Sequence, residues 1–504
     1  MRSRVADAFR PVRDRPEENV LSRTSRSRRL SAGLAAAALA LTAAGTATAA
    51  HAAPSAPTGS TAAAAEPGIL MNYVVNTRSD KGHVKKVEQA VVAAGGTVVQ
   101  SYDQIGVVIA QSTNPDFRTD VRAGKNGRSV QTVGATRTAA VSEGPVGTAA
   151  KTAAAKGLNA GEAAPVLDPD EAKQWDMVQI KADQAHQITD GSRKVLVGIN
   201  DSGVDDTHPD LAPNFDAKNS VNCVGNGVPD TTPGGWRPTT SAHGTHVAGT
   251  VAAARNGVGI VGVAPNVRIA SVKVVNDDGY IFPEYAICGF IWAAEHKMDV
   301  TNHSYFIDPW QFWCDDDGDQ GAVQESVRRA VDFATKRGGL AVAAAGNSNY
   351  DLANKTTDTS SPNDSTAVTR QITNDCLDIP TELPGVITVA STTQARARSG
   401  FSNFGLNKID VAAPGSTILS TLPGGKYGTM SGTSMASPHV AGVAALIKSA
   451  RPWLSPRQIE NALRVEADDQ SCPTTPDPRC TGTTANNAFF GEGIVDSLDA
   501  IQRW

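Results

Sequence analysis

The chain has 504 residues, 40 % of them hydrophobic, and a formal net charge of −5. This length exceeds one typical domain, and the composition suits a globular protein. The first 30 residues hold nine arginines and four acids, so +5 of the charge lies there and −10 in the remainder. An acidic body without a clustered basic face excludes nucleic acid as the main partner, because phosphate binding needs fixed positive charge.

The amino terminus has the pattern of an export signal. A basic stretch ending at Arg29 precedes an apolar run of small residues, Leu34 to Ala44, followed by alanine-rich candidate cleavage sites. The run is shorter than the about 20 residues that span a bilayer, and no later segment comes closer. We assign residues 1–52 to a signal peptide with an unusually long leader, and we expect a secreted, extracellular product without membrane contact.

All six cysteines lie beyond residue 220, and an even number in an exported chain predicts disulfides. Cys472 and Cys480 bracket a turn-rich segment and are predicted to pair with each other. The remaining pairings stay open, because connectivity does not follow from cysteine spacing.

Two segments rich in alanine, proline, serine and threonine divide the chain. Such compositions cannot bury enough apolar surface to fold. Residues 53–67 form the first linker, and residues 135–170 form the second, which should hold the maturation site. Between them, residues 68–134 predict a small α+β unit with one helix and three strands. These elements are Ile69 to Val75, His83 to Ala94, Thr97 to Tyr102 and Val107 to Ser112.

Residues 171–504 predict an α/β domain. Apolar runs bounded by turns alternate with helical stretches, as in a doubly wound, mostly parallel sheet with helices on both faces. The predicted strands are Val195 to Asn200, Arg268 to Val275, Val300 to Phe306, Leu340 to Ala345 and Val386 to Ser391. The predicted helices are Gly244 to Ala254, Phe282 to His296, Ala322 to Arg337, Ser434 to Ala450 and Pro456 to Val465.

Three segments of this domain carry residues with catalytic potential. Asp201 follows the first predicted strand, where open α/β sheets place their sites. His243 begins a helix of small residues and is a candidate general base. His246 lies three residues further on, but a metal pair lacks both the HExxH arrangement and a third ligand. Ser434 lies at a helix amino terminus, where unpaired N–H groups can stabilise an oxyanion.

The motifs around these residues are Asp-Ser-Gly-Val from Asp201, His-Gly-Thr-His-Val-Ala-Gly-Thr from His243, and Gly-Thr-Ser-Met-Ala-Ser-Pro-His around Ser434. In this order they resemble the three signature blocks of the subtilisin-like serine peptidases of secreted bacterial type. The separations of 42 and 191 residues also fit that family. The order Asp, His, Ser is that of subtilisin.

The resemblance implies a role for each residue. Ser434 would be the nucleophile, His243 the general base and acid, and Asp201 the carboxylate that orients the imidazole. Val342 to Asn347 resembles the family's strand ending in Gly-Asn, which would make Asn347 an oxyanion-hole donor. The α+β unit resembles, less specifically, the family's inhibitory prosegment.

The substrate-binding residues implied by the resemblance are Gly279, Ser304 and Tyr305. The family's usual Ser-Leu-Gly reads Ser304-Tyr305-Phe306 here, and two aromatic residues would narrow or reshape the first specificity pocket. The insertion at 308–320 contains Cys314 and five acids from Asp308 to Asp319 outside any EF-hand register. Three interpretations of its acids stay open: a solvated turn, an attraction for basic peptides, and a Ca²⁺ site.

The sequence therefore predicts a secreted serine endopeptidase that cuts extended protein segments through an acyl-enzyme intermediate. Two alternatives remain, a catalytically silent peptide-binding protein with this fold and a processing peptidase of narrow specificity. Catalysis needs no cofactor or metal; structural Ca²⁺ is consistent with the family, although no ligands can be assigned. The expected partners are protein or peptide substrates and the chain's own prosegment as a transient inhibitor, and we expect a monomer.

Overall fold

The computed structural model describes residues 68–142 and 167–503 of the chain. The predicted signal peptide, the first linker and most of the second linker lie outside these ranges. The α-helices of the described residues are α1 (Lys81–Ala93), α2 (Phe117–Asp120), α3 (Gly124–Gly127), α4 (Trp175–Gln179), α5 (Ala182–Ala185), α6 (His243–Ala252), α7 (Pro283–Glu295), α8 (Gly318–Lys336), α9 (Thr433–Ala450), α10 (Pro456–Val465) and α11 (Ser497–Gln502). The strands are β1 (Met71–Asn76), β2 (Gly96–Tyr102), β3 (Val107–Ser112), β4 (Thr132–Ala135), β5 (Leu196–Asp201), β6 (Val221–Asn222), β7 (Arg268–Lys273), β8 (Val300–His303), β9 (Leu340–Ala344), β10 (Thr357–Asp358), β11 (Arg370–Gln371), β12 (Val386–Thr392), β13 (Val411–Pro414), β14 (Ile418–Leu422) and β15 (Lys426–Met430).

The amino-terminal unit is a four-stranded antiparallel sheet in the order β2-β3-β1-β4, and α1 packs on it over an apolar core of its own. The sequence predicts its helix and first three strands but misses β4. Gly134 allows β4 to lie against α8, because a Cβ there would be 2.3 Å from the carbonyl oxygen of Asp319. The unit continues to residue 142, past the predicted linker start, since Arg137 is buried against α7.

The carboxy-terminal domain is built on a seven-stranded sheet in the order β13-β12-β9-β8-β5-β7-β6, with every neighbouring pair parallel. Helices α6 and α9 share one apolar core with one face of the sheet, and α7 and α8 share a second core with the other face. The predicted doubly wound α/β architecture is therefore confirmed.

Element boundaries follow local capping chemistry. Helix α8 begins at Gly318, four residues before the prediction, because the Asp317 side chain accepts hydrogen bonds from the N–H groups of Asp319 (2.9 Å) and Gln320 (3.0 Å). Helix α10 begins at the predicted residue, Pro456, and a capping box of Ser455 and Gln458 precedes it. The sequence misses the short strands β6 and β13 and the β14–β15 hairpin.

All six cysteines form disulfides, which join Cys223 to Cys288, Cys314 to Cys376 and Cys472 to Cys480. The predicted Cys472–Cys480 pair is confirmed. The other two disulfides join cysteines 65 and 62 residues apart, and pairings over such distances cannot be identified from cysteine spacing alone.

Candidate active site

The centre of the large sheet positions the first site residue. Strand β5 lies between β7 and β8, and the order in which strands are added reverses direction at this point of the sheet. Such a switch point opens a crevice at the carboxyl ends of the strands. Asp201 is the last residue of β5 and is only 1 % exposed. Its Oδ1 accepts a hydrogen bond from the Ser202 N–H at 2.7 Å, which fixes the carboxylate plane.

His243, the first residue of α6, meets this carboxylate. Its Nδ1 lies 2.8 Å from Asp201 Oδ1 and 3.0 Å from Oδ2. Gly244 permits the approach, since a Cβ there would be 2.5 Å from the Gly203 carbonyl oxygen. Burial lowers the pKa of His243, but the charge and hydrogen bond of Asp201 outweigh this effect and leave the pKa raised.

His246 does not join the cleft as a metal ligand. It is fully buried, its Nε2 lies 3.0 Å from the Ile418 carbonyl oxygen, and burial lowers its pKa to about 4. In residues 68–142 and 167–503, no group of three or more histidine, cysteine or acidic side chains converges as a metal site.

Ser434 is the second residue of α9, which places its hydroxyl and N–H at the positive end of the helix dipole. Its Oγ donates to the Ser304 carbonyl oxygen at 3.2 Å, and the Ser304 hydroxyl donates to the Ser434 carbonyl oxygen at 2.9 Å. This exchange ties the end of β8 to the start of α9. It also fixes the distance between the candidate nucleophile and the segment expected to bind substrate.

Asn347 lies opposite Ser434, just beyond β9. Its Oδ1 accepts hydrogen bonds from the N–H (2.8 Å) and hydroxyl (2.9 Å) of Thr433. The amide nitrogen Nδ2 remains available as a donor.

Asn403, which the sequence analysis misses, holds this loop from behind. It accepts from the N–H groups of Ser348 (3.1 Å) and Tyr350 (2.9 Å) and donates to the Ala345 carbonyl oxygen at 2.8 Å. The loop that carries Asn347 is thus fixed by a fully buried side chain far from it in sequence.

One cleft of about 440 Å³ unites the predicted site residues. All seven line it: Asp201, His243, Gly279, Ser304, Tyr305, Asn347 and Ser434. The Tyr305 hydroxyl lies 2.9 Å from His303 Nδ1, and burial raises the pKa of Tyr305 and lowers that of His303 to about 3. The Tyr305 ring is therefore anchored at its hydroxyl end.

The cleft also contains two buried carboxylates, one from the insertion whose acids the sequence analysis discusses and one that it misses. Asp308, the first residue of the predicted insertion, and Asp378, which precedes the Ile379–Pro380 bond, both line it and are 3 % and 2 % exposed. The remaining acids of the insertion behave differently: Asp315 and Asp316 are exposed and Asp317 caps α8.

Comparison with known proteins agrees with this geometry. The model of the subtilase family matches residues 192–493. A subtilisin of Bacillus pumilus is 37 % identical over 326 residues, covering 64 % of this chain and 97 % of the relative. Subtilisin NAT of Bacillus subtilis subsp. natto is 35 % identical over the same length, covering 64 % and 70 %.

Solved structures show the same fold. The epidermin leader peptide processing serine protease of Staphylococcus aureus aligns with a TM-score of 0.62 and 22 % identity, over 86 % of this chain and 98 % of its own. Fervidolysin from Fervidobacterium pennivorans, a keratinolytic enzyme, aligns with a TM-score of 0.61 and 26 % identity, over 86 % and 61 %.

Proposed function

Because this chain belongs to the subtilase family and is a serine endopeptidase, we propose that Asp201, His243 and Ser434 are its catalytic triad and that the enzyme is secreted. The observation that carries the proposal is the contact of His243 Nδ1 with both oxygens of the buried Asp201 in the cleft that Ser434 also lines. A buried carboxylate in this position holds the imidazole in the tautomer whose Nε2 can accept a proton.

The reaction proceeds through an acyl-enzyme. Ser434 Oγ turns from the Ser304 carbonyl towards His243, loses its proton to Nε2 and attacks the scissile carbonyl carbon. The imidazolium, stabilised by Asp201, returns the proton to the leaving amine, and water then repeats the sequence to release the acid. The raised pKa of His243 favours the protonated form that this intermediate stage requires.

Two donors stabilise the tetrahedral oxyanion in this proposal. Asn347 Nδ2 is one, because Thr433 occupies the amide oxygen and fixes which end of the side chain can donate. The Ser434 N–H at the start of α9 is the other. Gly279 and the backbone of Ser304 would flank an extended substrate as neighbouring strands.

We further propose that residues 68–142 act as the prosegment and are removed after folding. The unit packs on α7 and α8 through polar contacts: Asn72 Nδ2 donates to Glu284 of α7 at 2.6 Å, and Asn76 Nδ2 donates to the Ala322 carbonyl of α8 at 2.8 Å. The Thr138 N–H also donates to Asp364, outside both helices, at 2.8 Å. Export is supported by three disulfides and by the leader. None of the helices in the described ranges has the length and apolar character that crossing a bilayer requires.

The alternative of a silent peptide-binding protein is less consistent with an assembled Asp201–His243 pair. The alternative of a processing peptidase shares every catalytic residue with a general protease. Digestion of a mixed peptide library separates these two, because cutting at many unrelated sites excludes the narrow alternative.

The test compares exported wild type with Ser434→Ala by mass spectrometry and by labelling with a fluorophosphonate. We expect wild type to lose residues 68–142 and to be labelled at Ser434, whereas Ser434→Ala keeps the prosegment and takes no label. Labelling of the mutant at another residue would overturn the triad. Identical trimming of both would show that another protease matures the chain.

A further inference from the structure

The cleft beside Ser434 extends past the oxyanion loop to a pair of buried carboxylates. Asp378 lies directly behind Gly346, the residue before Asn347, since a Cβ on Gly346 would be 3.7 Å from Asp378 Oδ2. Asp308 belongs to the segment that follows Tyr305 and Phe306 along the cleft wall. Both carboxylates therefore border the space next to the atoms that would react.

Asp378 has an oxygen without a partner. Its Oδ2 accepts from Gln311 Nε2 at 2.6 Å, but no donor within residues 68–142 and 167–503 bonds to Oδ1. Lys355, whose charge also acts on Asp378, forms its ion pair with Glu382 at 2.5 Å. Burial and the neighbouring Glu382 raise the pKa of Asp378 well above its ordinary value. The side chain is 2 % exposed, so this oxygen can find a partner only through the cleft.

Asp308 likewise has only neutral donors. Its Oδ2 accepts from the Ile281 N–H at 2.5 Å and its Oδ1 from Asn363 Nδ2 at 2.6 Å. The Asn363 carboxamide oxygen is buried and accepts no hydrogen bond within the described residues. No lysine or arginine lines the cleft in the described parts of the chain. This end of the cleft therefore presents acceptor oxygens and two carboxyl groups, with no lysine or arginine among the described residues that line it.

We propose that this end of the cleft, defined by Asp308, Asn363 and Asp378, binds the side chain of lysine or arginine at the residue whose carbonyl Ser434 attacks. The inference rests on the proposed function and makes the enzyme cut on the carboxyl side of basic residues. Two buried carboxylates without a cation in contact are costly, and a long side chain ending in a cation would offset that cost. Among the described residues, no third carboxylate, histidine or cysteine joins these two carboxylates in a metal-binding group.

The chain itself contains a matching substrate. Between residues 143 and 166, where maturation is expected, the only basic residues are Lys151 and Lys156. Both stand in alanine-rich sequence without aromatic residues, and the only other charged residues between 143 and 166 are Glu143 and Glu162. A protease selective for basic residues would therefore find its own cut site there.

The test measures kcat/KM for peptides that differ only in the residue before the scissile bond: lysine, arginine, leucine, phenylalanine or glutamate. Enzyme concentrations are normalised by titrating Ser434 with a fluorophosphonate. We expect lysine and arginine to be preferred by about 100-fold or more, because a pocket built around charge rejects groups that leave it unpaired. Equal or better cutting after leucine or phenylalanine would overturn the inference while the titration still supports the peptidase. Failure of the titration would instead reject the proposed function.

Variants assign the preference to the carboxylates. Asp378→Asn should lower kcat/KM for the lysine peptide by about 30-fold or more and leave the leucine peptide within a few-fold, because only the cationic side chain loses its partner. Asp308→Asn should act in the same direction. Asp410→Asn, a half-buried carboxyl outside the cleft whose pKa is also raised, is the control and should leave the lysine-to-leucine ratio unchanged. An equal loss for both peptides in Asp378→Asn would show a structural role only and overturn the assignment.

A ligand test needs no variant. Benzamidine carries an amidinium, a planar cation similar to the guanidinium of arginine, and benzamide is its neutral counterpart. We expect benzamidine to compete with peptide substrates and benzamide to have no effect. Equal behaviour of the two would contradict a carboxylate-lined pocket.

Discussion

The carboxamide oxygen of Asn347 accepts a hydrogen bond from the backbone N–H of Thr433 at 2.8 Å, which commits the amide nitrogen to the cleft. The donor end is thereby oriented before substrate arrives. Such preorganisation is what makes an oxyanion donor effective, since no reorganisation is needed during the reaction.

Replacement of this donor should affect turnover far more than binding. We expect Asn347→Leu to lower kcat by about 100- to 1000-fold with KM nearly unchanged, the range measured for the corresponding donor in subtilisin and carried over to this chain. Steady-state kinetics on one peptide would show this. Asn354→Ala, an exposed asparagine on the same stretch, should be silent. A large rise in KM with normal kcat would place Asn347 in substrate binding instead.

The pH profile should report the Asp201–His243 pair. The general base acts only when neutral, so kcat/KM rises as the pH passes the pKa of His243, which Asp201 holds above its ordinary value. Asp201→Asn removes this effect and leaves the lowering effect of burial, so the acid limb should move to lower pH. The rate should also fall by up to about 10⁴-fold. Asp206→Asn, whose partner is Arg237, is the control. An acid limb that stays at the same pH in Asp201→Asn would show that Asp201 does not control this titration.

The basic preference should itself depend on pH. Burial raises the pKa of Asp308 to about 7, with Asp364 adding to the effect, so the carboxyl is neutral below that pH and charged above it. Asp378, whose environment includes Lys355, Glu382 and Gln311, shifts in the same direction. Only the charged form attracts a cation.

The ratio of kcat/KM for lysine over leucine peptides should therefore rise between about pH 5 and 9, because His243 affects both peptides alike. In Asp308→Asn the rise should be weaker. A ratio that falls with pH would contradict the assignment.

Maturation should follow a lysine. We expect the exported enzyme to begin at Thr152 or Gly157, and the double variant Lys151→Gln, Lys156→Gln to accumulate unprocessed. Glu162→Gln changes charge in the same segment and should mature normally. Amino-terminal mass spectrometry decides the matter, and a mature chain that starts after neither lysine would contradict self-processing at basic residues.

The buried ion pair of Arg137 with Glu284 should dominate the attachment of residues 68–142. Their closest atoms are 2.6 Å apart, and both side chains are at most 1 % exposed. Breaking such a pair costs about 3–5 kcal/mol. Arg118 pairs with Asp319 at 2.5 Å but is 28 % exposed, so its loss should cost about 1 kcal/mol or less.

In the full chain carrying Ser434→Ala, amide hydrogen exchange of residues 68–142 should accelerate strongly in Arg137→Ala and slightly in Arg118→Ala. The exchange rates convert to the free energy of opening. Equal acceleration in the two variants would show that burial of the pair makes no difference.

The sequence predicts long elements well and pockets poorly. Strand β9 is an uninterrupted apolar run and β5 begins with one, and their predicted limits agree with the structure to within one residue. Strand β13 escapes prediction because four residues ending in proline carry too little pattern. The triad candidates and Asn347 could be predicted because each lies in a short motif, whereas Gly279, Ser304 and Tyr305 followed from the family resemblance; all seven line the cleft.

Asp378 escapes because its environment is assembled from distant residues. Its partner Gln311 lies 67 positions earlier, and neither residue belongs to a motif. Only the fold brings them together. A pocket formed by residues distant in sequence becomes visible only in the folded structure, whereas each triad residue lies in a short sequence motif.

The Cys314–Cys376 bridge has a consequence for where this protein can work. It joins the segment carrying Asp308 and Gln311 to the segment carrying Asp378, and Trp313 and Leu377 exchange backbone hydrogen bonds beside it at 2.8 and 2.9 Å. Thiols in the cytoplasm stay reduced, whereas the exterior of the cell is oxidising. A copy retained inside would have its two pocket walls held by noncovalent contacts alone. Formation of this disulfide on export would thus complete the pocket that is proposed to bind basic side chains. The cleavage specificity of the enzyme would then depend on the compartment in which it is found.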